Sequence, residues 1–168
     1  LTDVSRREET RRVFSAETAS LIGNILSDPA ARQLEFGTSS LLRFPIQTAV
    51  KTGTSSDYRD AWALGFNHRF TVGVWIGNLD HLATDGITGA SGPALVLHSV
   101  LAELNRHQKS RPLYLSPRLV KTEICRQTGL PADGQCASLS EWFVSGTEPK
   151  TIAAPTKDLK PVYLQHPT

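Results

Sequence analysis

The chain of 168 residues has 39 % hydrophobic and 20 % charged residues, with 18 Lys and Arg against 16 Asp and Glu. This composition excludes an intrinsically disordered chain, and the length suits one domain, or one domain with a tail. A net charge of +2, dispersed along the chain, gives no sign of nucleic-acid binding. The best apolar stretch, 93–104, is too short to span a membrane and contains His98, Ser99 and Glu103.

The chain contains no methionine and begins with Leu1. Its first residues have no signal-peptide character. We therefore expect a piece of a longer protein, in which targeting signals and membrane anchors lie outside this sequence.

The first patterned segment follows about a dozen residues that are rich in charge and unpatterned, which predicts a frayed lead-in. Ser15 is a candidate N-cap for a helix that runs to about Ser27 and stops at Asp28-Pro29. Its apolar residues form one stripe: Ile22, Ile25 and Leu26. A looser segment follows, with a predicted turn over 37–40.

The next forty residues predict an antiparallel sheet. Strands are expected over 46–50, leading into Lys51-Thr52-Gly53-Thr54, then over 61–66 and 70–76. A polar loop over 55–60 and a turn at Asn67-His68 connect them, and such short connections favour hairpins. Alternation places one set of apolar side chains of the third strand on a single face: Phe70, Val72, Val74 and Ile76.

A glycine-punctuated loop over 80–92 leads to the last predicted helix, 93–106. Pro93 occupies the first helical position, where its missing N–H costs nothing. One stripe is expected to pack on the sheet: Ala94, Leu97, Leu101 and Leu104. Beyond residue 110, proline and turn-forming residues dominate. We therefore predict one domain over 1–110 and an irregular connector over 111–168, with apolar runs at 119–120 and 142–144.

The two cysteines, Cys125 and Cys136, lie in a segment rich in turn-forming residues. Two cysteines with no histidine nearby cannot form a zinc site. They are either two free thiols or a small disulfide loop, and the turn-rich spacing favours the disulfide. A disulfide would indicate an oxidising compartment such as the periplasm.

The segment Lys51-Thr52-Gly53-Thr54-Ser55 combines a cation, a glycine and three hydroxyls at the end of a predicted strand. The lysine precedes the glycine, which argues against a Walker phosphate loop. A polar turn is the ordinary alternative, because four residues recur by chance. The third interpretation is the Lys-Thr-Gly box of serine acyltransferases that attack penicillin or D-alanyl-D-alanine peptides.

The residues around this box extend the match. Residues 49–80 have the sequence A-V-K-T-G-T-S-S-D-Y-R-D-A-W-A-L-G-F-N-H-R-F-T-V-G-V-W-I-G-N-L-D. This span closely resembles the bifunctional class A penicillin-binding proteins, in which K-T-G-T-[ST] is followed by D-A-W-x-x-G and then by V-G-V-W-x-G. The insert over 55–60, Thr88-Gly89-Ala90 and the paired cysteines before 146–149 are most similar to the 1C subtype. The resemblance covers about residues 13–150.

The resemblance implies part of a peptidoglycan D,D-transpeptidase, which binds penicillin and other β-lactams and cross-links D-Ala-D-Ala stem peptides through an acyl-serine intermediate. It implies an α/β (α+β) fold, with an antiparallel sheet covered by helices as in serine β-lactamases. This chain would hold the last three strands and the C-terminal helix, followed by an irregular tail that leads to an accessory β domain. The parent would be a membrane-anchored, periplasmic protein with a glycosyltransferase domain. No cofactor, metal or nucleic acid is expected.

The resemblance also implies roles for five residues. Lys51 would set the electrostatics and hydrogen bonding around the catalytic serine. Thr52 and Thr54 would offer hydroxyls to the carboxylate of the donor peptide or of a β-lactam. Gly53 would allow close approach, and the Thr54 backbone N–H would be one of two oxyanion-hole donors. Ser55 is a candidate substrate contact, with a turn role as its alternative.

Other residues near the box have more ordinary interpretations. Trp62 and Trp75 are predicted as core aromatics rather than substrate platforms, and Asp60 as a turn cap rather than an acid. None of the five histidines has a partner pattern.

The chain departs from the family at the other two boxes of its mechanism, S-x-x-K and S-x-N. No serine here has lysine at the third following position or asparagine at the second, and a near match such as Ser40-Leu41-Leu42-Arg43 ends in arginine. We therefore expect no acyl-enzyme on this chain alone. We also expect exposed apolar surface where the missing half of the transpeptidase domain, or a companion chain, would pack.

Three rival interpretations remain. A β-lactamase or D,D-carboxypeptidase relative would share the box, although the D-A-W strand and the cysteine-containing tail argue against it. A non-catalytic penicillin-binding or sensor module would fit the missing boxes. A structural interaction module would make the box accidental.

Overall fold

The computed structural model describes residues 11–37 and 40–151. Its elements are α1 (Ala16–Ser27), α2 (Pro29–Phe36), β1 (Ala49–Thr54), β2 (Asp60–Phe66), β3 (Thr71–Gly77), α3 (Gly92–Asn105), β4 (Leu119–Cys125) and β5 (Ser138–Val144). Residues 1–10 of the predicted lead-in, positions 38–39 of the predicted turn, and the tail from 152 lie outside the described residues.

The first helix begins and ends where its capping residues predict. Ser15 Oγ accepts the Thr18 N–H at 3.1 Å, and α1 ends before Asp28. The looser segment expected after it instead contains the second helix. Asp28 Oδ1 accepts the Ala30 N–H at 2.8 Å, and Pro29 takes the first position of α2. The Asp-Pro pair therefore stops one helix and starts the next, since both residues favour a helix N-terminus.

The apolar stripe of α1 is not the face that the helix buries. Ile22 and Ile25 are 50 % and 59 % exposed, whereas the buried residues are small: Ser20, Gly23 and Ser27. Ser20 Oγ donates to the Tyr114 carbonyl at 3.3 Å and accepts the Ser116 N–H at 2.9 Å. The small face of α1 thus lets an extended segment approach closely enough for hydrogen bonds, which leaves the apolar stripe outward.

Three strands form an antiparallel sheet in the order β1-β2-β3, which confirms the predicted hairpins. The first strand starts later than expected and contains the Lys-Thr-Gly box, which the sequence had placed at the strand end. Thr48 Oγ1 donates to the Ile46 carbonyl at 2.8 Å, and this local bond belongs to a turn rather than a strand ladder.

The core lies between this sheet and α3. Leu97 and Leu101 are fully buried in one cluster with Val50, Ala63 and Ala94. A Cβ on Gly65 would lie 3.2 Å from the side chains of both leucines, so glycine lets the helix pack closely on β2. The predicted packing stripe of α3 is confirmed for Ala94, Leu97 and Leu101, which are buried. It is wrong for Leu104, which is 38 % exposed.

The described residues form two compact units, divided between Pro117 and Arg118. Residues 113–116 belong with the first unit, since they bond to α1 and the Leu113 N–H donates to Gln47 Oε1 at 3.0 Å. The identities assigned to 1–110 and 111–168 stay predictions.

The second unit contains an antiparallel hairpin in the segment that was expected to be irregular. Strands β4 and β5 pair from Leu119–Val144 to Cys125–Ser138, so both predicted apolar runs lie on strands. A disulfide joins Cys125 and Cys136, whose Cα atoms are 5.8 Å apart. In the described part of the chain, no helix is both long and apolar enough to cross a membrane.

Candidate functional site

The Lys-Thr-Gly box lies on a strand with one open edge, because β1 pairs only with β2 among the described residues. The Ser55 N–H donates to the Asp60 carbonyl at 2.8 Å. In an antiparallel ladder, alternate residues point their N–H and C=O groups toward the partner strand. Lys51 and Gly53 therefore direct their backbone groups at β2, and Thr52 and Thr54 direct theirs at the open edge. Such an edge can pair with an extended peptide.

The Thr54 hydroxyl is held by the loop that precedes α3. Its Oγ1 accepts the Gly89 N–H at 3.1 Å. A Cβ on Gly89 would lie 2.5 Å from the Trp62 carbonyl oxygen and 2.6 Å from that of Gly53, so only glycine fits there. Because Gly89 occupies an acceptor site of the hydroxyl, its proton is free to donate elsewhere. From the sequence alone, Gly89 was only one residue of the family resemblance, with no predicted role of its own.

Lys51 adds positive charge at the same edge. Its Nζ donates to the Thr52 carbonyl at 2.5 Å, and this carbonyl points away from β2. The ion pairs found in the described residues are Arg59–Asp57 and Arg106–Glu103, so no carboxylate neutralises Lys51 there. Thr52 is half-buried and shares a strand face with Thr54.

Ser55 closes the loop that follows the box. Its Oγ accepts the Asp60 N–H at 2.8 Å, which is the geometry of its alternative turn role. Asp57 and Tyr58 within this loop have positive φ values, 60° and 54°, which are uncommon for residues other than glycine. Thr84 bonds the Tyr58 carbonyl with both its N–H and its hydroxyl, at 2.8 and 2.6 Å. These two hydrogen bonds help hold the strained loop in place.

The two tryptophans near the box are not core residues, which corrects their predicted placement. Trp62 and Trp75 are 44 % and 37 % exposed, with ring centroids 6.4 Å apart. Their register places them across from Gly53, on the sheet face opposite the one that packs against α3. The Asp60 carboxylate accepts the Trp75 indole N–H at 2.9 Å rather than capping a turn. Together with Leu64 these rings form an exposed apolar patch.

Away from the box, burial lowers the pKa of the Arg32 guanidinium, and the charge of Asp28 partly opposes that effect. Arg32 donates to the carbonyl oxygens of Leu26 and Leu42. It therefore ties the two helices to the segment before β1 and has no contact with the box.

Comparison with known proteins supports the resemblance inferred from the motifs. Residues 116–154 match the family model described as penicillin-binding protein 1A, C-terminal domain. The chain is 33 % identical over 153 residues to penicillin-binding protein 1C of Escherichia coli (strain K12), which covers 88 % of this chain and 19 % of that protein. It is 26 % identical over 151 residues to penicillin-binding protein 1A of Clostridium botulinum (strain Langeland), covering 85 % and 18 %.

A solved structure gives the same result. The crystal structure of penicillin-binding protein 1A from Haemophilus influenzae superposes with a TM-score of 0.66 at 26 % identity, covering 86 % of this chain and 23 % of that one. The chain thus spans about a fifth of the length of the relatives that it matches. The chain belongs to the class A penicillin-binding proteins and corresponds to the C-terminal part of their sequence.

Proposed function

We propose that the chain supplies the Lys-Thr-Gly strand of a peptidoglycan D,D-transpeptidase. In this reaction a serine attacks the D-Ala-D-Ala end of a stem peptide, and β-lactams acylate the same serine. The observation that carries the proposal is the open edge of β1, toward which the Thr54 N–H points and at which the Lys51 ammonium lies. Membership of the penicillin-binding family supports it.

The first step assigned to this edge is recognition of a carboxylate. The Lys51 ammonium provides charge, and Thr52 and Thr54 provide hydroxyl donors. The Thr54 hydroxyl suits this role because the Gly89 N–H already occupies one of its acceptor positions. Hydrogen bonds to a charged group each contribute about 1.5–3 kcal/mol.

The second step is stabilisation of the oxyanion. A substrate backbone lying along the open edge would bring its scissile carbonyl to the Thr54 N–H. Removal of one oxyanion-hole donor costs about 10²–10³ in rate. Gly53 favours this approach for a specific reason: a Cβ there would meet only the Trp62 Cβ, at 3.9 Å. The fold itself therefore does not require glycine at position 53, whereas a close ligand would.

The proposed reaction needs residues that this sequence lacks. The serine nucleophile and the S-x-N box would come from another part of the polypeptide or from a companion chain, which would also cover the patch of Trp62, Leu64 and Trp75. We place the parent at the membrane, on its periplasmic side, with a glycosyltransferase domain. The Cys125–Cys136 disulfide fits an oxidising compartment.

A chimera tests this function. The segment of Escherichia coli penicillin-binding protein 1C that matches this chain is replaced by the chain, and the product is incubated with fluorescent penicillin and weighed intact by mass spectrometry. We expect a stoichiometric, hydroxylamine-sensitive adduct on the chimera and none on the chain alone. Lys51→Ala should slow labelling about 10- to 100-fold, because a charge-assisted bond is lost. Lys121→Ala, which removes an equal charge in the second unit, should leave the rate unchanged.

Several outcomes would contradict the proposal. A folded chimera that stays unlabelled would overturn it, and so would equal labelling of the Lys51→Ala and Lys121→Ala variants. An adduct on the chain alone would show that one of its own serines is a nucleophile. Rapid hydrolysis of the chimera's adduct would favour the β-lactamase or carboxypeptidase alternative.

A further inference from the structure

The end of the sheet opposite the box carries a second polar feature, a cleft of about 450 Å³ between the β2–β3 turn and the end of α3. We call it the turn cleft. Its lining contains cationic and polar side chains and no carboxylate: His68, Arg69, His107, Gln108, Lys109 and Arg111.

The walls of the turn cleft are tied together by two asparagines. Buried Asn67 accepts the N–H groups of Arg69 and Phe70 with its Oδ1, at 2.9 and 2.8 Å. Its Nδ2 donates to Asn105 Oδ1 at 3.1 Å, and Asn105 Nδ2 donates to the Leu101 carbonyl at 2.6 Å. The turn and the last turn of α3 therefore keep a defined relative position.

Among the exposed cations of the turn cleft, Arg69 is oriented by its neighbours without being neutralised. Arg69 Nη1 donates to Gln108 Oε1 at 2.7 Å, and its guanidinium lies 5.5 Å from the Phe70 ring centroid. Neither contact carries a negative charge. In the described part of the chain, Arg69, Lys109 and Arg111 have no carboxylate within ion-pair distance.

An unpartnered buried atom belongs to the same lining. His68 Nδ1 is the buried side-chain polar atom that has no hydrogen-bond partner in the described residues. Leaving such a group unpaired costs about 1–3 kcal/mol. Nδ1 has almost no accessible surface, so a ligand oxygen would pair with it only after the His68 ring turns toward the turn cleft, where this nitrogen can donate or accept according to its tautomer.

A purely structural role accounts for only part of the cluster. Cations just beyond a helix C-terminus stabilise its dipole, which would explain Lys109 after α3. It explains neither the oriented Arg69, which comes from the turn, nor the unpaired nitrogen of His68. The two guanidinium groups and the ammonium of this lining match the charge of a phosphate, and a guanidinium can bind a phosphate through two parallel N–H groups. We propose that the turn cleft binds a phosphate group, carried either by a small soluble molecule or by a lipid headgroup.

Thermal unfolding of the full chain in inorganic phosphate, compared with chloride at equal ionic strength, tests this proposal. NMR of the His68 ring follows the same titration. We expect phosphate to raise the unfolding temperature and to shift the His68 resonances, with saturation. Arg69→Gln combined with Arg111→Gln should weaken binding about 10-fold or more. Arg126→Gln combined with Lys150→Gln, an equal charge change at exposed sites of the second unit, should leave it intact.

Vesicles distinguish the sources of the phosphate. Co-sedimentation with phosphatidylglycerol vesicles but not phosphatidylcholine vesicles, lost in the Arg69/Arg111 variant, would identify a lipid headgroup. Saturable phosphate binding without co-sedimentation would identify a soluble ligand. If phosphate and chloride act alike, or if both double variants respond equally, the proposal is overturned. Should the Arg69/Arg111 variant fail to fold, Lys109→Gln, which changes an exposed residue, serves in its place and should weaken phosphate binding measurably.

Discussion

The two ends of the three-stranded sheet both present cations, but they do so by different means. At the box end, Lys51 is accompanied by backbone groups that point in fixed directions from the open edge of β1. At the other end, the turn cleft gathers charged side chains, and Asn67 and Asn105 hold its walls. A strand edge provides direction, which catalysis on a carbonyl requires, whereas a side-chain cluster provides charge, which suffices to bind an anion.

The two ends should therefore respond differently to substitution. Substitution of a charged side chain should weaken anion binding at the turn cleft, because positive charge is lost. At the box end, the strongest effects should come from changes to the backbone groups of β1 or to the glycines that shape them.

The largest effect is expected from Thr54→Pro in the chimera with Escherichia coli penicillin-binding protein 1C. Proline removes the N–H proposed as an oxyanion donor, and an edge strand tolerates it because that N–H does not pair with β2. Penicillin labelling should slow about 10²–10³-fold. Thr54→Val, which keeps the N–H and loses the hydroxyl, should be affected less. Equal rates for the two variants would show that the backbone donor has no part in acylation.

Substitutions at two glycines that lie close together should distinguish an effect on stability from an effect on acylation. Gly89→Ala places a Cβ against the backbone of Gly53 and Trp62, and should lower the free energy of unfolding of the chain by about 1–3 kcal/mol. In Gly53→Ala the new Cβ makes only an ordinary contact, so the free energy of unfolding should change by less than about 0.5 kcal/mol. The same substitution should slow acylation of the chimera. Urea unfolding of both variants measures the first quantity. A larger loss of stability for Gly53→Ala would contradict the assignment.

The smallest effect on penicillin labelling is expected from a substitution at Ser55. This variant tests whether Ser55 stabilises a turn or contacts the substrate. Ser55→Ala removes the acceptor of the Asp60 N–H and should cost about 0.5–1.5 kcal/mol of unfolding free energy. Labelling of the chimera should stay nearly unchanged. Ser56→Ala, whose hydroxyl has no such bond, is the matched control. Slower labelling at full stability would instead make Ser55 a substrate contact.

Local signals predicted most of the secondary structure. The Ser15 cap and the strand alternation before Gly77 each depend on a few neighbouring residues, and both are confirmed. The helix predicted from Pro93 is also present, but it begins one residue earlier, so Pro93 takes its second position. The second helix was missed because the stop signal Asp28-Pro29 also starts a helix. The hairpin of β4 and β5 was missed because a long, turn-rich loop separates its two strands.

The sequence by itself determined the family, through the box at Lys51 and the D-A-W and V-G-V-W motifs that follow it. Only the tertiary structure decided which face of α1 is buried, that Trp62 and Trp75 lie exposed, that Gly89 holds Thr54, and that His68 and Arg111 line one cleft. The physical reason is distance along the chain. Caps, turns and alternation act between residues a few positions apart, whereas these contacts join segments separated by tens of residues, and packing alone selects them.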